Sequence, residues 1–270
     1  SLVALIFTHR RLHTPMYIFL GNLALMDSCC SCAVTPKMLE NFFSEDRIIS
    51  LYECMAQFYF LCLAETTDCF LLATMAYDRY VAICHPLQYH TMMSKTLCIQ
   101  MTAGAYLAGN LHPMIEVEFL LRLTFCGSHQ INHFFCDVPA MLTLACTDTW
   151  VYECTVFLST TIFLVFPFIC IACSYGRVVL AVYHMHSAEG RKKVYSTCST
   201  HLTVVTFYYA PFVYNYLCPR SLQSPMEDKI LAVFYTIVTP MLNPIIYSLR
   251  NKEVMGALTQ VIQKIFSVKM

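Results

Sequence analysis

The sequence predicts an all-α protein, a bundle of seven membrane-spanning helices in one domain. Hydrophobic residues make up 57% of its 270 positions and charged residues only 13%, whereas a soluble domain carries about 25% charged residues. Apolar runs of about 20 residues recur between short polar stretches, as in helical membrane bundles. With only seven glycines and no alternation with a period of two residues, the chain is unlike an outer-membrane barrel. Its net charge of zero gives no reason to expect a nucleic-acid partner.

Six apolar runs are long enough to span a membrane, and we number them as spans two to seven. They cover approximately residues 15–37, 54–83, 97–119, 151–183, 194–217 and 230–249. Residues 1–8 are apolar but too short to span, and no initiator methionine precedes them, so we expect that the N-terminal tail and most of span one are missing. Residues 251–270 carry apolar side chains at helical spacing, which predicts an amphipathic helix in the membrane interface. No repeat or linker divides the chain, so we expect residues 1–270 to form a single domain.

Basic residues divide unevenly between the two ends of the predicted spans. Five of the 17 lysines and arginines fall at one end: Lys37, Arg47, Arg122, Arg220 and Lys229. The other twelve, 17 minus five, fall at the opposite end, which also includes the C-terminus. Because basic residues stay on the cytoplasmic side, we expect a cytoplasmic C-terminus and an extracellular N-terminus.

Span three ends in a charged pair, Asp78 and Arg79. Arg79 lies 25 residues after Cys54 (79 − 54), and a helix of that length covers about 37 Å, more than the ~30 Å core of a bilayer. One helix therefore places Cys54 at the outer face and Arg79 at the inner face. A charged pair at this boundary can hold a closed conformation. The alternative is that both residues only anchor the helix end among aromatic side chains.

Three carboxylates lie inside predicted spans: Asp27, Glu65 and Asp68. Such groups are costly in hydrocarbon and are usually functional. Asp68 precedes Arg79 by three helical turns, so both are expected on one face of span three. In span seven, Pro244 removes a backbone donor and predicts a kink.

Four stretches in combination resemble olfactory receptors, a class of rhodopsin-like G-protein-coupled receptors. Residues 75–84 read Met-Ala-Tyr-Asp-Arg-Tyr-Val-Ala-Ile-Cys, which is similar to the family's signature at the cytoplasmic end of helix three. Residues 239–251 contain Asn-Pro-Ile-Ile-Tyr and resemble its Asn-Pro-x-x-Tyr switch. Residues 192–202 resemble its Lys-Ala-Phe-Ser-Thr-Cys-x-Ser-His-Leu segment with conservative departures, and residues 12–17 match closely. The resemblance covers nearly the whole chain after residue 9.

This resemblance implies a rhodopsin-like bundle and roles for residues near its cytoplasmic end. G-protein coupling and the associated switch are expected to involve Asp78, Arg79, Tyr80, Tyr175, Lys193, Asn243, Pro244 and Tyr247. Tyr247 is expected to reach toward Tyr175. The basic start of span six would offer a docking face for a partner helix, or would only anchor the span.

The resemblance also implies a site for a sodium ion or a proton, formed by Asp27, Asp68 and Asn243. The alternative is that each acid is protonated and hydrogen-bonded in the core. No other cofactor and no metal site is expected.

Four cysteines lie at the outer end of the predicted bundle: Cys54, Cys126, Cys136 and Cys146. The extracellular side is oxidising, and four cysteines allow three pairings, with free thiols as the alternative. The resemblance selects Cys54–Cys136 and Cys126–Cys146. His133 and Asp137 flank Cys136, but one histidine and one aspartate beside a bridged cysteine make a poor set of metal ligands.

The resemblance also implies a ligand site between helices three, five and six. From the helix register, its predicted lining consists of Leu61, Cys62, Glu65, Thr66, Ser159, Thr160, Phe163, Tyr209, Phe212, Val213, Tyr216, Val233 and Thr236. This mostly apolar and aromatic surface suits a small hydrophobic ligand. If ionised, Glu65 would favour an amine. The alternative is a neutral Glu65, hydrogen-bonded to Thr66 or to a neighbouring helix.

The function implied is that of an odorant receptor in the plasma membrane. A small volatile ligand would shift the population toward a state that activates the olfactory stimulatory G protein and the cyclic AMP pathway; the other partner is membrane lipid. No catalytic nucleophile–base set is visible, so no enzyme activity is expected. Two alternatives remain open: a receptor of the same fold for a non-odorant ligand, and a seven-helix transporter or channel.

Overall fold

The computed structural model describes residue 6, residues 14–45, 47–126, 130–217 and 225–250, and residues 255, 256 and 259. Predictions for the stub at 1–8 and for the amphipathic helix at 251–270 therefore lie almost wholly outside the described residues. The predictions for the side chain of Tyr216 and for Arg220 also lie outside the described residues.

Within the described part of the chain, six long helices form a bundle, and the predicted all-α class is confirmed. The first five are α1 (Pro15–Phe43), α2 (Leu51–Cys84), α3 (Lys95–Leu120), α4 (Trp150–Tyr183) and α5 (Ala188–Leu217). The sixth, α6, consists of Pro225–Val233, a π-helical turn Phe234–Val238, and Thr239–Arg250. Helices α1 to α6 correspond to the predicted spans two to seven.

Helix α2 occupies the centre of the bundle, where it packs against α1, α3 and α4. Its start is determined by a capping box, in which the Ser50 hydroxyl accepts from the Glu53 amide and the Glu53 carboxylate accepts from the Ser50 amide. Leu71, Leu72 and Met75, halfway along it, are fully buried. The helix that carries Arg79 is therefore the one that the others surround.

Close approach of α3 to α2 depends on Gly109. A Cβ atom at this position would overlap the Oγ1 of Thr67, which is buried on α2. Polar side chains also join α3 to its neighbours: the Tyr106 hydroxyl donates to Asn22 Oδ1 on α1 (3.0 Å), and the Tyr59 hydroxyl on α2 donates to Asn110 Oδ1 (2.9 Å). These contacts fix the register of α3.

Four of the described helices are long and apolar enough to cross a membrane: α1, α2, α4 and the Lys229–Tyr247 part of α6. The sequence predicted six full spans. Helices α3 and α5 have the length but carry more polar residues, such as Asn110 and His112 in α3 and Lys192 and Lys193 in α5. These polar residues lower the mean hydropathy of the two helices.

The outer loop between α3 and α4 is cross-linked. Its disulfides are Cys54–Cys136 and Cys126–Cys146, with Cα–Cα separations of 5.5 and 5.9 Å. These are the two pairs that the family resemblance implied. The Cys136 amide donates to Gln57 Oε1 (2.9 Å), and Gln57 Nε2 donates to the Ala33 carbonyl (3.0 Å). The loop is thus tied to α2 by a covalent bond and, through Gln57, to α1.

Candidate functional site

A cavity of about 540 Å³ opens at the end of the bundle where α2 terminates. It lies among α1, α2, α5, α6 and the connection between α2 and α3. Its lining includes the predicted switch residues Asp78, Arg79, Lys193 and Tyr247, together with Tyr17, Tyr89, Thr197 and His201. The Lys193 side chain is exposed at its rim, so basic groups line the opening.

Asp78 is bound by Tyr89 and not by Arg79. The Asp78 carboxylate, 1% exposed, accepts a hydrogen bond from the Tyr89 hydroxyl at 2.7 Å. Burial, followed by the nearby Asp78 carboxylate, raises the pKa of Tyr89, so this hydroxyl stays protonated and remains a donor. None of the three ion pairs found among the described residues involves Arg79. The predicted Asp78–Arg79 pair is therefore absent from this structure, because a neutral donor occupies the carboxylate.

Two tyrosines near Arg79 differ in their hydrogen bonding. The Tyr175 hydroxyl on α4 lies 2.8 Å from His201 Nδ1 on α5, and the two rings stack. The Tyr247 hydroxyl on α6 is buried and has no hydrogen-bond partner. Tyr247 lies within electrostatic range of Tyr175, as predicted. The two hydroxyls do not bond to each other, because the Tyr175 hydroxyl is bonded to His201. Farther along α2, Tyr80 contacts His85 Nε2 at 3.1 Å.

The predicted ion site lies deeper, between α1, α2 and α6. Asn243 Nδ2 donates to Asp27 Oδ1 at 3.0 Å, and Asp68 lies within electrostatic range of Asp27. Three buried oxygens here have no hydrogen-bond partner: Asp27 Oδ2, Asp68 Oδ1 and Asn243 Oδ1. Pro244 follows Asn243 in the α6 helix and is half-buried.

A chain of buried polar groups crosses the outer half of the bundle. His112 Nδ1 on α3 lies 2.7 Å from the Thr66 hydroxyl on α2, and His112 Nε2 lies 2.9 Å from Glu116 Oε1. The Ser159 hydroxyl on α4 donates to the same Glu116 oxygen at 2.7 Å. Phe163 stacks on the His112 ring with centroids 4.9 Å apart.

Sequence reasoning missed the two central members of this chain. Neither His112 nor Glu116 was singled out from the sequence, yet Glu116 is only 3% exposed. The available signal was the spacing of four residues, which puts a histidine and a glutamate on one face of a helix. The described residues contain no group of three or more His, Cys, Asp or Glu side chains placed to hold a metal ion.

Most of the other predicted lining residues face the bundle interior. Leu61, Cys62, Tyr209 and Thr236 are buried, and Thr160, Phe212 and Val233 are half-buried. Tyr209 packs on Phe168 and Phe212 stacks on Tyr235. The Thr236 hydroxyl donates to the Ala232 carbonyl within its own helix.

Val213 was wrongly predicted to line the site. Its side chain is 47% exposed and continues an exposed stripe of α5 formed by Leu202, Thr206 and Ala210. A helix turns about 100° per residue, so the residue after the inward Phe212 points out of the bundle.

Glu65 is half-buried on α2, and its Oε1 atom is buried without a hydrogen-bond partner. Its backbone carbonyl accepts from the Tyr208 hydroxyl. Thr66, which the sequence suggested as a partner for the Glu65 carboxylate, is bonded to His112 instead.

Comparison with known proteins identifies the family of this chain. A family model described as olfactory receptor matches residues 1–266.

The chain belongs to the olfactory receptor family.

Its relatives include human olfactory receptor 2L5, which is 63% identical over 270 residues, covering 100% of this chain and 86% of the relative. Human olfactory receptor 5K3 is 62% identical over 264 residues, covering 98% and 82%. In fold, the olfactory receptor chain is similar to squid rhodopsin, with a TM-score of 0.77, 16% identity, and coverage of 99% of this chain and 81% of that one.

Family membership settles the protein class. The chain is a membrane receptor of the G-protein-coupled type and not an enzyme, and a transporter or channel is no longer a matching alternative. The family in general has a small ligand and a G-protein partner. The predicted ligand and switch residues of this olfactory receptor are functional proposals, which the geometry above supports to different degrees.

Proposed function

We propose that this olfactory receptor lies in the plasma membrane, binds a small volatile ligand inside the bundle and activates the olfactory stimulatory G protein, which raises cyclic AMP. The proposed orientation has the N-terminus outside and the C-terminus in the cytoplasm. It rests on the concentration of basic residues at the Arg79 end. The ligand would bind between α2, α4 and α5, beneath the cross-linked outer loop.

The observation that carries this proposal is the cavity around Arg79. Its volume of about 540 Å³ and its basic rim suit the insertion of a partner helix end. Arg79 Nε is buried and has no hydrogen-bond partner, and Asp78 is already engaged by Tyr89. No ion pair among the described residues joins the guanidinium to its neighbouring acid, so its N–H groups are available to donate to carbonyl groups of a G protein.

The proposed movement is an outward shift of the cytoplasmic end of α5. This end carries His201, whose bond to Tyr175 joins α5 to α4. An outward shift would lengthen that bond, so its loss is part of the free-energy cost of activation. A ligand that binds the shifted state more tightly offsets this cost and changes the population.

We further propose that the site formed by Asp27, Asp68 and Asn243 binds a sodium ion or a proton. Three buried oxygens without partners fit a hard cation, which prefers oxygen ligands. Buried polar atoms are rarely left unsatisfied, so an ion or a proton at this position would complete their bonding. The ion would supply positive charge between α1, α2 and α6 and stabilise the arrangement of these helices.

The test of coupling is Arg79→Ala in the full-length receptor. Cyclic AMP after ligand addition is expected to fall to background at equal surface expression. Lys95→Ala is the matched control, because Lys95 is exposed at the start of α3 and does not line the cavity. Signalling by Arg79→Ala that equals wild type would rule out the proposed coupling role.

A further inference from the structure

Glu65 lies within electrostatic range of two other carboxylates in the outer half of the bundle, those of Asp137 and Glu116. The Cys62 thiol lies within range of all three. Tyr152 on α4 lies near Glu116, Asp137 and Cys62, and Tyr235 on α6 lies near Asp137, Glu65 and Cys62. We call this set the acidic cluster: Cys62, Glu65, Glu116, Asp137, Tyr152 and Tyr235. Four helices and the outer loop contribute to it.

Two polar atoms of the acidic cluster are buried and have no partner. They are Glu65 Oε1 and the hydroxyl oxygen of Tyr152. Tyr152 is only 1% exposed, so water at the surface cannot satisfy its hydroxyl. Buried polar groups are rarely left without a hydrogen-bond partner, so these two atoms are candidates for contact with a ligand.

The other two carboxylates already have partners. Glu116 Oε1 accepts from Ser159 and contacts His112. Asp137 caps the short helix Val138–Leu142 by accepting from its first amide at 2.8 Å. Glu65 is therefore the carboxylate of the cluster that has a buried oxygen without a hydrogen-bond partner.

The nearby cationic side chains of the described residues are also engaged elsewhere. His112 lies between Thr66 and Glu116, Lys229 donates to Asn132 at 2.7 Å, and Arg122 pairs with Glu118 at 2.7 Å. None of the ion pairs in the described structure includes Glu65. The acidic cluster thus lacks a fixed positive charge at its unpaired carboxylate.

We propose that the acidic cluster binds a small organic ammonium ion and that Glu65 is its counter-ion. This inference rests on the proposed function and names its ligand class, a protonated amine on a compact apolar skeleton. The ammonium group donates to Glu65 Oε1. The ring of Tyr235, which lies near Glu65, attracts the cation through its face, and Phe212, which stacks on Tyr235, provides apolar surface for the remainder of the ligand.

The experiment uses the full-length receptor and a panel of a primary amine, an alcohol and an aldehyde on one carbon skeleton. Binding is measured without G protein, as the ligand-induced rise in melting temperature of the purified receptor, and signalling is measured as cyclic AMP in cells. The amine is expected to bind wild type most tightly. Glu65→Gln should weaken amine binding roughly 10- to 100-fold, as for the loss of a charged hydrogen bond, and leave the alcohol unchanged. Glu118→Gln, an exposed acid on α3, is the matched control.

Each result supports or overturns the proposal. Equal amine affinity in wild type and Glu65→Gln overturns it, as does an alcohol that binds wild type more tightly than the amine. Amine binding without any cyclic AMP response keeps the proposal and contradicts the proposed signalling instead. If Glu65→Gln fails to reach the surface, an N-methylammonium ligand and its neutral methyl ether isostere decide on wild type: preference for the cation supports the proposal, and equal binding overturns it.

Discussion

Two polar side chains of this receptor form hydrogen bonds between helices that their sequence spacing does not reveal. His112 and Glu116 are four residues apart on α3, yet their other partners are Thr66 on α2 and Ser159 on α4. The spacing within α3 is visible in the sequence. The partners are 46 and 43 residues away along the chain, and only the packing of three helices brings them together.

Glu116→Ala is expected to lower the free energy of unfolding by about 2–3 kcal/mol, because it leaves His112 Nε2 unpaired inside the bundle and removes the bond between α3 and Ser159, whose hydroxyl keeps only the Val156 carbonyl. The melting temperature of purified receptor measures this. Glu118→Ala, two residues along the same helix, breaks only an exposed pair with Arg122 and should cost less than about 1 kcal/mol. Equal losses in the two variants would contradict the role assigned to Glu116.

Asp68→Asn tests the proposed ion site at the same scale. Wild type is expected to melt at a higher temperature in sodium chloride than in choline chloride at equal ionic strength, since an ion that binds the folded state stabilises it. The variant should lose this difference, because it lacks one anionic oxygen ligand. A sodium effect of the same size in Asp68→Asn excludes sodium at this site; the absence of an effect in wild type leaves the proton as the remaining occupant.

At the scale of helices, the apolar runs correctly predicted where each long helix lies, but several helices extend beyond their predicted ends. Helix α1 continues to Phe43, beyond the predicted end near 37, and α5 begins at Ala188 and not near 194. Residues 188–193, which the prediction left between two spans, are therefore helical. Hydrophobicity follows the buried length of a helix, whereas its ends are determined by capping groups and by polar turns that extend into solvent.

Gly109→Ala should destabilise the contact of α3 with α2, because the new methyl group overlaps Thr67. Overpacking of this kind typically costs about 1–3 kcal/mol. Gly104→Ala is the matched control, since no atom lies within 4 Å of a Cβ atom at that position of the same helix; alanine's higher helix propensity should make it neutral or slightly stabilising.

Thermal melting of Gly109→Ala combined with Thr67→Ala supplies the second half of this test. Removal of the overlapping hydroxyl should recover part of the lost stability. A double variant that is less stable than Gly109→Ala alone would show that the overlap with Thr67 is not the cause.

For the molecule as a whole, the sequence predicted the bundle and the order of its helices, and relatives and squid rhodopsin agree with that prediction. The membrane pattern is encoded locally, in runs of about 20 residues. The hydrogen bond of Asp78 with Tyr89, the outward position of Val213 and the acidic cluster depend on helix rotation and on partners in other elements. No local pattern carries that information.

Replacement of Cys54 and Cys136 by serine is expected to destabilise the receptor by about 2–5 kcal/mol and to reduce its surface expression. The bridge spans a sequence separation of 82 residues, whereas Cys126–Cys146 spans 20, so removal of the second pair should cost about 1 kcal/mol less if chain entropy dominates. Cys154→Ser, which removes a free thiol, is the control. Non-reduced peptide mapping that finds Cys54 and Cys136 unlinked in surface receptor would refute the premise.

The bridge between Cys54 and Cys136 also makes part of the chain a covalent ring that contains nearly all of α2 and the whole of α3. A protease that cuts once in the connection between them, at 85–94, would open this ring without releasing a fragment. The nicked receptor would migrate as one band on a non-reducing gel and as two bands after reduction. The tight connection at the Arg79 end can therefore be severed while the outer half of the bundle remains a single molecule.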